Sequence, residues 1–297
     1  MAKKIFIGVD GGATKTDLIV EDESGTPLSQ AKSGPSNVSV SCEVAYNSIL
    51  HALKQALESC GLSINDKNLK IYAGLGLAGL EDEAAKNNFK SKLNLFDKYI
   101  LESDAHTACI GAHSGNDGII LIAGTGSVSY AVIGNKSFRS GGWGFPQSDE
   151  GSGAWIGLQL VKRSLYYYDK RLPQSEIFDE LFKMFENKVE KLIAWAAKAK
   201  STHFAELAPI VIKYFKNNDI QALEIMKECA RHLEDLIYNI DKRAGINSLK
   251  IALIGGISSY INPLLDDTIK KRLVMPVYSP AKGSIIMLRK YLSEEKN

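Results

Sequence analysis

Two segments of the chain share one pattern, and this repeat limits the possible folds more than any other feature of the sequence. Residues 5–20 (IFIGVDGGATKTDLIV) and 119–133 (IILIAGTGSVSYAVI) each place a nearly continuous apolar run before a glycine-rich turn and an alternating run after it. Both patterns predict a buried strand, a tight turn and a second strand, repeated after about 115 residues. The repeat suggests a duplicated domain, although two unrelated buried hairpins would produce the same pattern.

Short apolar runs alternate with helical patterns in the first third of the chain, which indicates an α/β protein. The runs lie at 5–9, 18–20, 71–77 and 99–101, and the helical patterns lie at about 42–59 and 82–93. Beyond the second repeat, the pattern is almost wholly helical from about 154 to 245. Strand character returns at 250–254, and a last apolar helix is predicted at about 283–292.

A chain of 297 residues is long enough for two domains. We expect a first domain over 1–115, with the C-terminal helix 283–297 packing back on it. We expect a second domain over 116–282, which contains the helical insertion at about 154–245.

Charge and cysteine usage narrow the classes of partner and compartment. Lys and Arg number 36 against 34 acidic residues, so the formal charge is +2, and no run of five like charges occurs. We therefore expect no nucleic-acid or membrane partner. The four cysteines (Cys42, Cys60, Cys109 and Cys229) form no C-x-x-C pair, a pattern typical of free thiols in the cytoplasm.

The glycine-rich turns indicate phosphate binding, because backbone N–H groups can approach a phosphate closely where no Cβ intervenes. A Rossmann turn requires G-x-G-x-x-G before a helix, but the turn at 124–129 (GTGSVS) lacks the third glycine and continues as a strand. A Walker A loop counted from Gly8 meets Ala13 at its second glycine position and also continues as a strand. Two hairpin turns remain, with a further pair, Gly255 and Gly256, after a later strand.

Five segments together are similar to the motifs of a known family. In order, they are GVDGGATKT at 8–16, SDA at 103–105, AGTGS at 123–127, GGWGFPQSDEGSGAW at 141–155 and IGGI at 254–257. They resemble the motifs of the N-acetylglucosamine kinase and BadF/BadG/BcrA/BcrD-type ATPase family, which has the sugar kinase/Hsp70/actin fold. One departure is Ala13, where the family usually has a third glycine, and this puts the fine geometry of the first turn in question.

The resemblance implies two duplicated ribonuclease H-like (actin-like ATPase) domains, with a ligand cleft between them and a helical insertion in the second. It implies an amino-sugar kinase that uses ATP as co-substrate and Mg²⁺ as cofactor to phosphorylate the 6-hydroxyl of N-acetyl-D-glucosamine. D-glucosamine is the alternative substrate. We also expect a homodimer.

Asp10 and Asp104 are the candidate acidic residues of the site. Asp10 ends a buried strand, where a carboxylate can hold Mg²⁺ through water, and the alternative is an Asx-turn. Asp104 directly follows a short strand at the start of a helix, where Ser103 or Asp104 would serve as an N-cap. The resemblance instead implies that Asp104 is the catalytic base that also binds the sugar hydroxyl.

The resemblance assigns the remaining site residues to two ligands. For ATP they are Gly11, Gly12, Thr14, Lys15, Gly124, Thr125, Gly126, Ser127, Gly255 and Gly256. For the sugar they are Asn37, Asp104, Thr125, Trp143, Asp149 and Glu150. Two of them have equally simple structural explanations, because Lys15 could be a solvated strand lysine and Trp143 could pack in the core rather than offer an apolar face to a sugar ring or an acetyl methyl.

A more distant alternative is an ATPase that activates a radical dehydratase. Such an activator holds an iron–sulfur cluster through cysteines in glycine-rich segments. Here Cys42, Cys60 and Cys229 lie in helical patterns, and none is next to a glycine-rich turn in the sequence.

Overall fold

The computed structural model of the protein describes residues 3–295. Within this range, ten strands form two mixed five-stranded sheets. The strands are β1 (Lys3–Gly11), β2 (Thr16–Asp22), β3 (Pro27–Ser33), β4 (Leu69–Leu77), β5 (Lys98–Ser103), β6 (Gly118–Ala123), β7 (Ser127–Ile133), β8 (Lys136–Gly141), β9 (Ile251–Ile254) and β10 (Leu273–Val274).

In the described part of the chain the helices lie between the strands, and the last helix follows β10. They are α1 (Cys42–Ser59), α2 (Glu83–Lys90), α3 (Asp104–Ala112), α4 (Gly153–Tyr168), α5 (Glu176–Met184), α6 (Val189–Ala196), α7 (Ser201–Ala205), α8 (Ala208–Lys216), α9 (Ile220–Ala244), α10 (Ser258–Ile261), α11 (Asp267–Lys270) and α12 (Pro280–Glu294). Short 3-10 turns lie at Leu93–Leu95 and Asn262–Leu264. Among the described residues, no helix is both long and apolar enough to span a bilayer.

The strand order confirms the duplication predicted from the internal repeat. The first sheet has the order β3-β2-β1-β4-β5, and the second has the order β8-β7-β6-β9-β10. Each strand of the first sheet thus has a counterpart five strands later. The parallel pair β1–β4 likewise corresponds to the parallel pair β6–β9.

The chain divides into two compact units. The first unit contains the residues up to Gly118, the segment Ala131–Ser137 and the residues from Met275 onward. The second unit contains Ile119–Tyr130 and Phe138–Val274, and therefore all the helices from α4 to α11. The domain boundaries predicted from sequence stay a prediction, because compact units and duplicated sequence segments need not coincide.

In the first unit, residues 5–9 of β1 form a continuous apolar run, and both faces of this part of the strand are covered. Ile5, Ile7 and Val9 belong to the core that includes the buried face of α1. The alternate residue Phe6 packs with Ile285 of α12 on the opposite face. The period of two along the strand therefore distributes its side chains between two helical layers.

Glycines allow α12 to lie unusually close to the sheet. At Gly8 a Cβ would overlap the carbonyl oxygen of Ala281, and at Gly74 it would overlap the carbonyl oxygen of Ser284. Ser284 also donates a hydrogen bond from its hydroxyl to the carbonyl oxygen of Val9, at 2.9 Å. The backbone of α12 is therefore in direct contact with β1 and β4.

The sequence analysis predicted α1 with its observed bounds but missed β3, β8 and β10. Helix α1 has a local start signal, since the Ser41 hydroxyl accepts the N–H of Val44 at 3.2 Å. The missed strands β3 and β8 are polar and mostly exposed or half-buried strands at sheet edges, and β10 has two residues. Their strand conformation depends on pairing with a neighbour rather than on an apolar pattern of their own.

We expect Gly74→Ala to destabilise the protein by about 1–3 kcal/mol, because the added methyl must push α12 away from β4. Urea unfolding of both proteins measures this difference. Gly256→Ala is the matched control, since a Cβ at Gly256 meets no atom within 4 Å, and it should change stability by less than about 0.5 kcal/mol. Equal stability of the Gly74 variant and the wild type would contradict the close packing of α12.

Candidate active site

Carboxylates gather at one edge of the first sheet, where the carboxyl ends of three parallel strands lie. β4 pairs parallel with both β1 and β5, and Asp10 lies opposite Gly76. Asp10 thus lies near the end of β1 at the edge where Asp104 begins α3. Burial, followed by the negative charges of Asp104 and Asp17, raises the pKa of Asp10 from 3.8 to about 6. The sheet therefore holds several acidic groups close enough to influence each other.

Asp104 is the first residue of α3, and Ser103 takes the role of N-cap. The Ser103 hydroxyl accepts the N–H of His106 at 3.2 Å. The half-buried Asp104 carboxylate accepts the N–H of Ala105 at 2.8 Å. The positive end of the helix dipole favours the ionised form of this side chain. The N-cap of α3 is therefore Ser103 and not Asp104.

The first glycine-rich turn is closed by a hydrogen bond from the N–H of Gly12 to the carbonyl oxygen of Lys15, at 3.0 Å. Ala13 is outside the set of described residues with positive φ, so this turn accommodates alanine in place of glycine without strain. Gly11 is in tight contact with Ser36, which leaves no room for a Cβ. The backbone shape expected of the turn is therefore retained despite Ala13.

The side chains of this turn point to different environments. Thr14 is exposed, and Lys15 is 61 % exposed while its ammonium pairs with Asp17 at 2.5 Å. The Asp10 carboxylate accepts no hydrogen bond from any residue in 3–295, which speaks against an Asx-turn. Asp10 and Lys15 also line a cavity of about 620 Å³ in the first unit. The cavity is large enough to hold a hydrated cation or a phosphate group.

Asn37 lies in a loop that is fastened to the ends of two strands. Ser36 donates its N–H to the carbonyl oxygen of Gly12 at 2.9 Å, and Val38 donates its N–H to that of Ala78 at 3.0 Å. The side-chain oxygen of Asn37 accepts the N–H of Ser39 at 3.0 Å and the Ser39 hydroxyl at 2.8 Å. Asn37 therefore shapes its own loop, while its side-chain nitrogen donates no hydrogen bond within residues 3–295.

In the second unit, the turn at 124–126 is joined to the start of α4. The N–H of Gly124 donates to the carbonyl oxygen of Gly126 at 3.0 Å. The carbonyl oxygens of Gly124 and Thr125 accept the N–H groups of Gly153 and Ala154, at 2.7 and 3.2 Å. These bonds use the first donors of α4 and hold the turn, with Thr125 exposed at its tip.

Asp149 closes the loop 141–152 over the same turn. Its carboxylate accepts the backbone N–H groups of Ser127 and Gly144, and burial raises its pKa. The buried Ser127 hydroxyl donates to the carbonyl oxygen of Glu150 at 2.7 Å, so this hydroxyl already has a structural partner. The residues predicted to bind ATP and sugar in this unit therefore also support one another.

Trp143 is 73 % exposed and does not belong to the core. The guanidinium of Arg139 lies 4.5 Å from the centroid of its ring and donates to the carbonyl oxygen of Gly141 at 3.1 Å. Gly142 and Gly144 on either side have positive φ, which bends the backbone back toward Arg139. The indole thus has a cation on it and a broad exposed surface.

Gly255 and Gly256 lie beside the turn at 124–126 because β9 pairs parallel with β6, with Ile254 opposite Ile122. Gly255 has a φ of +117°, and a Cβ there would overlap the carbonyl oxygen of Ala123. Gly256 is exposed, with open space around its Cα. The two predicted nucleotide segments of the second unit are therefore neighbours.

Two residues near these sites were missed in the sequence analysis. Asp17 lies directly opposite Asp10 in the antiparallel β1–β2 pair. In the sequence, Asp10 and Asp17 lie on either side of the turn between β1 and β2, and this spacing predicts that they face each other across the hairpin. Arg139 had no such signal, because its contact with Trp143 depends on the backbone bend at 141–144.

The four cysteines are free thiols. Cys109 and Cys229 are buried, and Cys42 and Cys60 are half-buried. Within residues 3–295, no group of three or more His, Cys, Asp or Glu side chains is arranged to hold a metal ion. Cys229, far from any glycine-rich turn in sequence, donates from Sγ to the carbonyl oxygen of Gly151 at 3.0 Å. Burial raises the pKa of this thiol, which keeps it protonated and makes it a structural group.

Comparisons with known proteins match almost the whole chain. The sequence profile of the BadF/BadG/BcrA/BcrD ATPase family matches residues 7–286. The chain is 31 % identical over 285 residues to glucosamine kinase GspK of Vibrio cholerae serotype O1, covering 96 % of each protein. It is 30 % identical over 273 residues to an N-acetylmuramic acid/N-acetylglucosamine kinase of Clostridium acetobutylicum, covering 89 % of each. The crystal structure of a Chromobacterium violaceum protein, provisionally named an N-acetylglucosamine kinase, matches with a TM-score of 0.85 and 29 % identity, over 97 % of this chain and 100 % of that one.

We expect Asp10→Asn to stabilise the protein at pH 7.5, by up to about 3 kcal/mol. A carboxyl whose pKa is raised on folding contributes stability below its unfolded value of 3.8, and this contribution is lost as the pH rises through about 6. The advantage of the asparagine variant should therefore shrink as the pH falls from 7 to 4. Thermal unfolding of both proteins across this range measures it. A pH-independent difference would contradict the raised pKa.

Proposed function

Because the chain belongs to the BadF/BadG/BcrA/BcrD ATPase family, we propose that it is an ATP-dependent amino-sugar kinase that phosphorylates the 6-hydroxyl of N-acetyl-D-glucosamine. Two relatives that match most of its length bear the names of amino-sugar kinases, which supports this class of reaction. The observation that carries the proposal is the location of Asp104, at a helix N-terminus on the sheet edge where it raises the pKa of the carboxyl of Asp10.

In this proposal Asp104 is the general base. Its carboxylate accepts the proton of the 6-hydroxyl while the hydroxyl oxygen bonds to the γ-phosphorus and the bond to the leaving ADP breaks. The positive end of the α3 dipole lies beside the Asp104 side chain, and the hydrogen bond from the N–H of Ala105 orients its carboxylate. Phosphoryl transfer needs mainly positioning and charge neutralisation, so one oriented base is sufficient protein chemistry.

Asp10 is the proposed magnesium residue, and its surroundings fit that cation. The carboxyl group has its pKa raised to about 6 by burial and by two neighbouring acids, so a divalent cation would relieve the excess negative charge. Mg²⁺ keeps several waters and takes few carboxylate ligands. This agrees with the described part of the chain, where no group of three or more His, Cys, Asp or Glu side chains is arranged to hold a metal ion. When bound, the ion would neutralise charge on the phosphates.

The residues proposed to bind ATP form two separate sets, one in each unit. In the first unit they are Gly11, Gly12, Thr14 and Lys15, and their turn exposes the hydroxyl of Thr14 and the side chain of Lys15. In the second unit they are Gly124, Thr125, Gly126 and Ser127, with Thr125 exposed at the tip of the turn. Gly255 and Gly256 next to it offer an open backbone surface against which the adenosine would lie.

The proposed sugar residues are Asn37, Asp104, Thr125, Trp143, Asp149 and Glu150. The side-chain nitrogen of Asn37 and the exposed hydroxyl of Thr125 are suited to hydrogen bonds with sugar hydroxyls. The exposed indole of Trp143 provides an apolar face for the pyranose ring. The carboxylates of Asp149 and Glu150 are the acceptors in the same loop.

D-glucosamine is the second candidate substrate, and the relative with 31 % identity over 96 % of the chain carries that name. The ammonium group of glucosamine would be stabilised by a carboxylate such as Asp149 or Glu150. Steady-state kinetics with both sugars decide between the candidates.

We expect Asp104→Asn to lower kcat by roughly 10²–10⁴-fold, while the KM values for sugar and ATP change little, because the amide keeps the shape but cannot accept the proton. A coupled assay of ADP release measures both parameters. Glu102→Gln is the matched control, since it removes an exposed carboxylate two residues earlier on β5, and it should retain wild-type kcat. An Asp104 variant with more than about a tenth of wild-type kcat would exclude the proposed base.

We expect Asp10→Asn to raise the Mg²⁺ concentration for half-maximal activity by about 10–100-fold, as loss of a water-mediated metal contact usually does. Titration of activity with MgCl₂ at saturating sugar and ATP measures this. Asp66→Asn serves as the control, because Asp66 is an exposed carboxylate that precedes β4, and Asp10 lies opposite the other end of that strand. It should shift the requirement by less than about threefold, and equal shifts for both variants would contradict a specific role for Asp10.

A further inference from the structure

The loop 141–152 in the second unit has a backbone that its own sequence does not hold in one shape. Four of its glycines have φ between +74° and +102°: Gly141, Gly142, Gly144 and Gly151. Asp149 has a φ of +70°, in a region that residues with a side chain adopt infrequently. Because glycine has many other conformations available, contacts with the rest of the unit must fix the loop.

Arg139, near the end of β8, makes several contacts with the start of this loop. Its half-buried guanidinium donates from Nε to the carbonyl oxygen of Gly141 at 3.1 Å and from Nη2 to that of Gly142. Its Cζ also lies 4.5 Å from the centroid of the Trp143 ring. A guanidinium combines several N–H donors in one plane with a flat face that stacks on aromatic rings. One side chain therefore holds two backbone carbonyls and the ring that follows them.

The backbone around Arg139 is itself anchored within the second unit. Arg243, in the last turn of α9, donates to the carbonyl oxygen of Arg139 at 2.5 Å. Gly142 packs so closely on β7 that a Cβ there would lie 2.8 Å from the Cβ of Val128. Arg139 therefore acts on the loop from a fixed position between β7 and α9.

The contact with Arg139 determines which face of the Trp143 indole a ligand can reach. The guanidinium lies on one face of the ring, and Trp143 is 73 % exposed, so the opposite face is open. Exposed side chains normally change rotamer within nanoseconds. A ring that stacks on an anchored cation samples fewer orientations, and less freedom is then lost when a ligand binds.

Other groups also hold the loop, but they are proposed to bind ligands themselves. The Asp149 carboxylate accepts the backbone N–H groups of Ser127 and Gly144, and the Ser127 hydroxyl donates to the carbonyl oxygen of Glu150 at 2.7 Å. Arg139 belongs to neither the proposed ATP residues nor the proposed sugar residues. Its substitution therefore changes the support of the loop without removing a group assigned to a ligand.

We propose that Arg139 is a positioning residue for the sugar, an inference that rests on the proposed kinase function. It holds the start of the loop and the Trp143 indole so that the uncovered face of the ring meets the pyranose. Arg139 contacts neither the sugar nor the reacting atoms. Its effect is therefore on the KM for the sugar, while the proton transfer to Asp104 stays unchanged.

The first test is the steady-state kinetics of Arg139→Met and Arg139→Lys, measured by ADP release with N-acetylglucosamine and, in parallel, with glucosamine. We expect Arg139→Met to raise the sugar KM by about tenfold, with kcat and the KM for ATP within about twofold of the wild type. Arg139→Lys keeps a cation near the ring, but one ammonium group cannot reproduce the planar fork that reaches both carbonyls, so the sugar KM should rise by only about threefold. It also provides the test if the methionine variant does not fold.

A double-mutant cycle with Trp143→Ala tests whether Arg139 acts through the indole. In the Trp143→Ala background, Arg139→Met should raise the sugar KM by less than about twofold, because the ring that it orients is absent. The matched control is Arg171→Met, since the exposed Arg171 guanidinium also stacks on an aromatic ring of the same unit, 4.0 Å from the centroid of Tyr166. It should leave kcat and both KM values unchanged.

Three results would overturn the role of Arg139 and leave the kinase function intact. They are a wild-type sugar KM in both Arg139 variants, a fall in kcat at unchanged sugar KM, and equal effects of Arg139→Met with and without Trp143. A wild type that phosphorylates neither sugar overturns the proposed function, and the positioning role with it.

Discussion

Parallel pairing of β1, β4 and β5 is the constraint on which the first unit depends. Parallel strands must end at the same sheet edge, so residues that are far apart in the chain come together there. Asp10 and Asp104 are separated by more than ninety positions in the sequence, yet the charge of one raises the pKa of the other. Gly8 of β1 and Gly74 of β4 stabilise this arrangement, because the absence of a side chain at each position lets the backbone of α12 pack directly on both strands.

The same sheet edge brings together carboxylates whose negative charges repel one another. Asp10 and Asp17 face each other across an antiparallel pair, and Asp104 adds a third negative charge. Lys15 and Lys32 pair with Asp17, but Asp10 accepts no hydrogen bond in the described part of the chain. Uncompensated negative charge of this kind is typical of sites that bind cations or transfer protons. A carboxylate that is already neutralised by protein cations would have little affinity left for a metal ion or a proton.

Several residues proposed to bind ligands also hold their own loops in shape. The oxygen of Asn37 organises its loop, the hydroxyl of Ser127 holds the carbonyl of Glu150, and Asp149 accepts two backbone N–H groups. These bonds are made within the protein, so the loops do not have to be ordered at the expense of binding energy. Arg139 has a related effect on Trp143, because its guanidinium lies on the indole and limits the orientations of an otherwise exposed side chain.

The sequence by itself determined the α/β class, the positions of the glycine-rich turns and the bounds of α1, because apolar periods, caps and glycine spacing are local signals. Its internal repeat suggested the duplication, and the resemblance of five motifs to a known family implied it. The sequence also identified Asp10 and Asp104 as candidates, through motifs that lie within a few residues of each. Only the tertiary structure decided that Ser103 caps α3, that Arg139 stacks on Trp143, and that the side-chain oxygen of Asn37 accepts hydrogen bonds within its own loop. It also decided the edge strands β3, β8 and β10. The reason is the same in each case: which group satisfies a donor, shields a charge or covers an apolar surface depends on neighbours that folding brings together, and the local sequence does not specify them.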